Sequence, residues 1–557
     1  MTLAPTNNAV EADFSNKTFL IVDDFQGMRT MLRDILRSCG ADAKNISTAA
    51  HGAEAIKLLN STRFDVVLCD FNLGEGKNGQ QILEEAKVMQ LIGPACAWIM
   101  VTAEKTSDAV SGAAEFQPDT YLLKPITETT LRQRLARIWA KKEAFAEIDR
   151  AIRAGNHAKA ITLCDQRMAV DKANFSDLLR TKCDLLMASG DLVRARQTYE
   201  TVLAGRQIPW AKVGLAKILL QTGDPAKALE LLEEVLRDNG AYLEAHDLLA
   251  KTLQTMGEFE AAGQALERAV RLSPNSVTRQ KNFGEMALKL GQLDHAERAF
   301  RKSVTLGEHS VLKTPDAYLG LAKTCSAKNS PADALRALGE LGKRFTGEEV
   351  QMKSMAVEGL VHHQNGNPAK AQQIAEELAR KLTDGSAKAD SQGTLEVARL
   401  LMATGAKESA IALLQSEVRN SPENAALLTE VREIFTHAEM GEEGACLVEA
   451  SRLKALDMMN RGVMLARDSQ YDEAIAAMRE AREAMPKNVR VLFNLVFVII
   501  AKLKTGNVDQ ALIDEARAGL DIANSLSPGE ARHAQLSAAL TALAGPGEAQ
   551  AAGETVG

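Results

Sequence analysis

The stretch FLIVDD, residues 19–24, places four apolar residues directly before two carboxylates. Four apolar residues in a row suit a strand buried on both faces, as in a parallel sheet covered by helices. An Asp between a strand and a helix has an ordinary role, because its carboxylate caps the helix by accepting a hydrogen bond from a free backbone N–H. For Asp23 and Asp24 taken alone, the cap is the simpler reading. What decides between a cap and a site is the chemistry at the ends of the other strands.

Those strands are readable. After TFLIVDD (18–24) come a weak run KNIST (44–48), then FDVVLCD (64–70), CAWIMVTAE (96–104) and DTYLLKP (119–125). Between them lie the amphipathic stretches MRTMLRDILRS, GAEAIKLLNS, GQQILEEAKVMQLI, SDAVSGAAEF and ETTLRQRLARIW. Five strands alternating with five helices predict a doubly wound, flavodoxin-like α/β domain over residues 17–140, with functional residues gathered at the carboxyl ends of the strands. The third strand ends in Asp70, the fourth in Thr102 and the fifth in Lys124. With the first and third strands adjacent, Asp23, Asp24 and Asp70 converge. Like charges that close raise one another's pKa unless a cation compensates. Mg2+ meets that need, because it takes a few carboxylates, water and phosphate oxygens. A hydroxyl and an ammonium beside it suit a transferred phosphoryl group.

Composition bounds the rest. The chain has 557 residues, 46% of them hydrophobic and only 4% aromatic, which predicts mostly packed helices. A formal net charge of -7 from 66 Lys and Arg against 73 Asp and Glu argues against a dedicated nucleic-acid binder. Seven scattered cysteines without CxxC spacing argue against a disulfide frame or zinc site and predict buried thiols in a reducing cytoplasm. Residues 1–16 lack the basic start and apolar core of a signal peptide and read as a disordered lead. The run VLFNLVFVIIAKL from Val491 is too short to span a bilayer and is broken by Asn494, so no membrane association is expected. It reads as a buried final unit rather than a self-association surface.

Beyond residue 143 a repeat takes over. Punctuations such as SGDLVRAR (189–196), TGDPAKAL (222–229) and MGEFEAAG (256–263) recur, and Gly155, Gly190, Gly223, Gly257 and Gly291 are separated by 35, 33, 34 and 34 residues. This is the period of a helix-turn-helix solenoid. Glycine permits the turn, and an alanine five residues on (Ala195, Ala228, Ala262, Ala296) lets the paired helix approach. A large residue four further (Tyr199, Leu232, Leu266, Phe300) fills the space between units, and Pro274, Pro422 and Pro486 stop second helices.

This pattern resembles the tetratricopeptide repeat family over about 145–520, in ten or eleven units, with QTMGEFEAAGQALERAVRLSP its clearest copy and the unit near GEEGACLVEA (441–450) barely recognisable. The spacing of Asp23-Asp24, Asp70, Thr102-Ala103-Glu104 and Tyr121-Leu-Leu-Lys124-Pro125 resembles the CheY-like receiver of bacterial two-component response regulators. That resemblance implies Asp70 as phospho-acceptor and Asp23, Asp24, Asp70 and the Asn72 backbone carbonyl as Mg2+ ligands. It also implies Thr102 and Lys124 as phosphoryl contacts, Thr102 and Tyr121 as the switch pair, and a cis peptide at Lys124-Pro125. Gly74 stands where many family members have proline.

The expected whole is thus an α/β receiver (17–140), a helical linker (141–154), an all-α tetratricopeptide superhelix and a disordered tail (545–557). It would act as a cytoplasmic, phosphorylation-controlled regulator. Its chemistry would be limited to receiver self-phosphorylation from a phosphohistidine donor and aspartyl-phosphate hydrolysis. Its expected partners are a histidine kinase or phosphotransfer protein and an unidentified protein on the concave face, with homodimerisation open. The rival from another class is a constitutive scaffold in which the receiver only docks.

Other signals weigh less. GEGKNG (74–79) lacks the GxxxxGK[ST] spacing of a phosphate loop and reads as a connection. Asp70-Phe71-Asn72 lacks the second acid of the DxD that dehalogenase-type phosphotransferases use. His362-His363, adjacent on a helix, diverge by about 100° and make a poor metal pair. Arg132, Arg134, Arg137, Lys141 and Lys142 form either a solvated helix face or a basic docking surface. Inward positions of the array include Arg180, Asp184, Lys217, Asp247, Lys251, Lys281 and Glu285. Several form opposite-charge i,i+4 pairs, Arg180 with Asp184, Asp247 with Lys251 and Lys281 with Glu285, that would support the helix itself.

Overall fold

A computed structural model describes residues 14–103, 116–384, 389–506 and 509–544. Five strands, β1 (Phe19–Val22), β2 (Ile46–Ala49), β3 (Val66–Asp70), β4 (Ala97–Thr102) and β5 (Thr120–Leu123), form one sheet in the order β2-β1-β3-β4-β5. Every pairing is parallel. The expected helix SDAVSGAAEF lies outside the described residues, apart from its last position.

Strand alternation supplies two cores. Phe19, Ile21, Val66, Leu68, Ile99 and Val101 point to one face, covered by α1 (Gln26–Ser38) and α4 (Glu128–Glu143). Leu20, Val22, Val67, Cys69, Trp98 and Met100 point to the other, covered by α2 (Gly52–Ser61) and α3 (Gly79–Val88). Burial on both faces is why these strands read as unbroken apolar runs. Phe14, inside the stretch expected to be a disordered lead, is buried edge-on against Phe19 and Trp139, since an apolar ring there completes the first core.

Helix α4 ends at Glu143, and after a break at Ala144 and Phe145 a short helix, Ala146–Arg153, leads into the array. The helices then run as antiparallel pairs. Gly155, Gly190, Gly223, Gly257 and Gly291 all have φ between 68° and 84°, in the left-handed region that glycine reaches without strain. Asn329 and Ser469 hold the same conformation where the punctuation lacks glycine. Asp191 and Asp224 cap the helices that follow their turns, with Pro225 at the first helical position of the second. Ala195, Ala228, Ala262 and Ala296 are completely buried, as are Leu232 and Phe300. Pro274, Pro422 and Pro486 each follow a helix end by two residues.

The chain divides into two compact units, residues 1–321 and 322–557, the first holding the sheet together with the early repeats. In the second unit, the weak repeat near 441–450 has a physical cause. Gly441–Arg467 is one helix of 27 residues, packed against both Ala425–His437 and Tyr471–Ala484. It serves two successive units without an intervening turn, so the turn signature is missing. The run VLFNLVFVII is buried within Val489–Leu503, but it is not in the last unit: Gln510–Leu526 and Ala531–Ala544 follow and complete its core. Asn494, which interrupts the run, accepts a hydrogen bond from Arg532 (2.8 Å). Six cysteines are buried, while Cys446, expected to be so, is exposed. Among the described residues no helix is long and apolar enough to cross a membrane.

Candidate functional site: an acidic pocket at the strand ends

The parallel register sets Val22 beside Cys69, so Asp23 emerges next to Asp70. Asp23 is 1% exposed and Asp70 7%, whereas Asp24 faces solvent. Carboxylate oxygens of Asp23, Asp24 and Asp70 lie within 4.8 Å of one another. From β5, Lys124 reaches in, its Nζ 2.8 Å from Asp70 Oδ2 and 3.1 Å from Asp23 Oδ2. Its backbone N–H donates to the Thr102 carbonyl (2.8 Å), and the Lys124-Pro125 peptide is cis, as the resemblance implies. Thr102 is buried at the end of β4. Tyr121 packs partly buried against the second core, its hydroxyl enclosed with no hydrogen-bond partner among the described residues.

Neither carboxylate of the pair caps α1. Phe25, whose side chain has no acceptor, occupies the cap position, and Asp23 Oδ1 accepts from the Phe25 N–H (2.9 Å). Arg29 donates to the backbone carbonyls of Asp23 (2.6 Å) and Asp24 (3.0 Å), holding the acidic turn against the start of the helix. Across the pocket, GEGKNG is a connection, as read. Asn78 and Gln81 form a reciprocal capping box for α3. Gly74 has a φ of 70°, which a proline could not adopt.

One ammonium does not balance three carboxylates. Burial pushes the Asp70 carboxyl above its ordinary value; the hydrogen bond and charge of Lys124 pull it back only partly, and Asp23 pushes it further up. Burial alone would lower the Lys124 ammonium, but bonds and charge from Asp70 and Asp23 outweigh that and raise it. The surplus of negative charge suits a hard divalent cation, and these are the donors such an ion takes.

Several sequence expectations resolve differently. The basic row on α4 is not one free surface: Arg132 pairs with Glu128, Lys141 with Asp177, and Lys142 with Asp119 (2.8 Å) while also donating to the Pro94 carbonyl. Arg134 and Arg137 are exposed, make no ion pair among the described residues and fit the solvated face. Glu128 sits one turn before Arg132 on the same helix, whereas Asp177 and Asp119 lie on other elements and give no signal beside the basic row. In the array, Lys217, Asp247, Lys251 and Glu285 line one cavity of about 400 Å³. Arg180, Asp184 and Lys281 do not line it. Lys281 pairs with Glu285 as expected, but Asp247 takes a two-pronged bond from the buried Arg279, and Arg180 approaches Glu244. His362 is buried near Glu358 and belongs to no cluster of potential metal ligands among the described residues.

Sheet order, strand-end acids and lysine define a flavodoxin-like receiver module, here followed by paired-helix repeats. Residues 19–136 match the response regulator receiver domain family, and residues 186–252, 243–276 and 356–425 match tetratricopeptide repeat families. The chemotaxis protein CheY-3 of Vibrio cholerae is 31% identical over 126 residues, covering 23% of this chain and 94% of that protein. CheY of Pseudomonas aeruginosa is 31% identical over 122 residues, covering 22% and 95%. Among solved structures, MamA aligns over 29% of this chain and 92% of its own with 22% identity and a TM-score of 0.27. The chain belongs to the CheY-like response regulators, with a receiver at its amino-terminal end joined to a tetratricopeptide repeat array.

Proposed function

We propose that this chain is a phosphorylation-controlled regulator in a two-component phosphorelay, with Asp70 as phosphoryl acceptor and the repeat array as a protein-binding output. The observation that carries the reading is the Asp70 carboxylate held between Lys124 and the Asp23–Asp24 pair. An Asp70 oxygen attacks the phosphorus of a phosphohistidine from a histidine kinase or phosphotransfer protein. The new P–O bond forms as the P–N bond breaks, and the imidazole departs. Hydrolysis reverses the loading: water attacks phosphorus, the Asp70 carboxylate leaves, and inorganic phosphate is released. Lys124 offsets charge on the phosphoryl oxygens, Thr102 contacts one of them, and Tyr121 follows the change by turning against its apolar bed. Mg2+, held by Asp23, Asp24, Asp70 and the Asn72 carbonyl, would supply the remaining charge neutralisation.

The receiver performs the chemistry and the array conveys the result, because a phosphoryl group shifts a population between conformations of different affinity. Labelling with a small phosphoryl donor tests this reading. Wild type should incorporate phosphate, and Asp70→Asn should lose incorporation by on the order of 1000-fold or more. Equal labelling of the two proteins would refute it.

A second reading, a constitutive scaffold with a docked receiver, draws on the Lys141–Asp177 pair that ties α4 to the early array. Equal affinity of phosphorylated and unphosphorylated protein for a captured partner would favour it.

A further inference from the structure

The receiver meets the array at a second place, far along the chain from the α4 junction. Both partners belong to the first compact unit. The Gln81 side-chain amide works in two directions: its Oε1 accepts from the Asn78 N–H (3.0 Å), closing the cap of α3, while its Nε2 donates to the Leu306 carbonyl (3.4 Å). Leu306 ends the helix Leu293–Leu306, where the last carbonyls have no partner inside the helix. One turn further along α3, Glu84 accepts a hydrogen bond from the Ser310 hydroxyl. Ser310 is 3% exposed, and its oxygen also accepts from the Leu312 N–H, so the same residue shapes the turn after that helix.

The start of α3 is fastened to the acceptor strand as well. The Gly79 N–H donates to the Phe71 carbonyl (2.9 Å). A Cβ on Gly79 would stand 2.1 Å from the Asp70 carbonyl oxygen, so the helix touches the backbone of the acceptor itself. A displacement of the loop between β3 and α3 therefore moves Gln81 and Glu84, and with them two bonds to the array.

We propose that α3 is an intramolecular latch, whose partner is the turn at residues 306–312 of this same chain, and that pocket occupancy and latch closure are energetically coupled. The inference rests on the reading of Asp70 as the phosphoryl acceptor. A group added beside Asp70 must be accommodated by the loop that the latch restrains. Opening the latch removes part of that cost and tightens binding at the pocket, and by linkage filling the pocket loosens the latch to the same extent.

The test uses the full chain with Mg2+ and beryllofluoride, a phosphoryl mimic. Ser310→Ala and Glu84→Ala open the latch from opposite sides. Each should lower the half-saturating beryllofluoride concentration by about fivefold, as the loss of one charge-assisted hydrogen bond allows. The double variant should lower it by clearly less than the product of the two single effects, because the bond between the two residues is already lost in each single variant. Unchanged or weaker binding in both single variants overturns the coupling. If wild type binds no beryllofluoride, the acceptor reading has failed instead, and hydrogen exchange still decides on the latch. Ser310→Ala should then speed exchange of amides at 82–85, and unchanged exchange there overturns it.

Discussion

Two buried charge clusters in this chain are built on opposite balances. In the receiver, Asp23, Asp24 and Asp70 share one lysine, and Asp70 is pushed above its ordinary pKa. In the second compact unit, one buried carboxylate, Glu396, is held by two cations, Lys323 (2.6 Å) and Arg399 (2.6 Å), and Arg399 also reaches Glu430 (2.7 Å). Burial would raise Glu396, but the charges of Lys323 and Arg399 outweigh it and hold the carboxyl below its usual range. A structural cluster satisfies its own charges. A site leaves a surplus for something that arrives later.

Breaking the balanced cluster should have the larger effect on stability. Glu396→Ala leaves two cations facing each other and should cost roughly 2 to 3 kcal/mol, the low end for breaking a buried pair because both partners are about a third exposed. Denaturant unfolding of the full chain measures it, and a loss below about 0.5 kcal/mol would mean that the cluster is not structural.

The surplus in the receiver predicts the converse. Mg2+ at ten times its dissociation constant should stabilise the wild type by about 1.4 kcal/mol. Asp23→Asn should abolish most of that gain. Equal stabilisation of both proteins would place the ion elsewhere.

The smallest effect is the pH dependence, which has opposite signs in the two clusters. Asp70 is raised in the folded protein, so it binds its proton more tightly there than in the unfolded chain. Above its folded pKa it costs stability, and acidification through that value toward 3.8 relieves the cost. Glu396 is lowered, so its contribution is complete above 4.5 and is lost as pH falls through the folded value. In metal-free thermal unfolding, the stability of Asp70→Asn relative to wild type should therefore fall as the solution is acidified from pH 7 toward pH 4.5. Glu396→Gln should stay equally destabilised across that range. Parallel behaviour of the two variants would mean that the two clusters are not balanced in opposite senses.

How far these features are legible from residues alone differs by cluster. Asp23, Asp24, Asp70, Thr102 and Lys124 stand out because each ends an apolar run, and parallel strands carry their ends to one edge of the sheet. Glu396 gave no such signal. It sits in SQGTLEVARLLMA with Arg399 three residues on, an ordinary helical pair, and Lys323 lies 73 positions away. The latch is equally silent: Gln81 is recognisable as a capping residue, but nothing near it in the chain points to Leu306. Asp177, 36 positions after Lys141, turned an apparent basic patch into a bridge.

By itself, the sequence determined what depends on neighbours along the chain: strand and helix periods, left-handed turns at glycine, the size rhythm of alanine and large residue within each unit, and the acids at strand ends. Each follows from local backbone geometry and the repeat of side-chain direction. Which polar groups meet across elements is set instead by the packing of the whole chain: Lys142 with Asp119, Arg279 with Asp247, Glu84 with Ser310, Lys323 with Glu396. Lys142 and Asp119 meet within the receiver, while in the array such meetings depend on the small rotation from each helix pair to the next. Accumulated over several units, that rotation sets which distant side chains face each other, and no single unit encodes the sum.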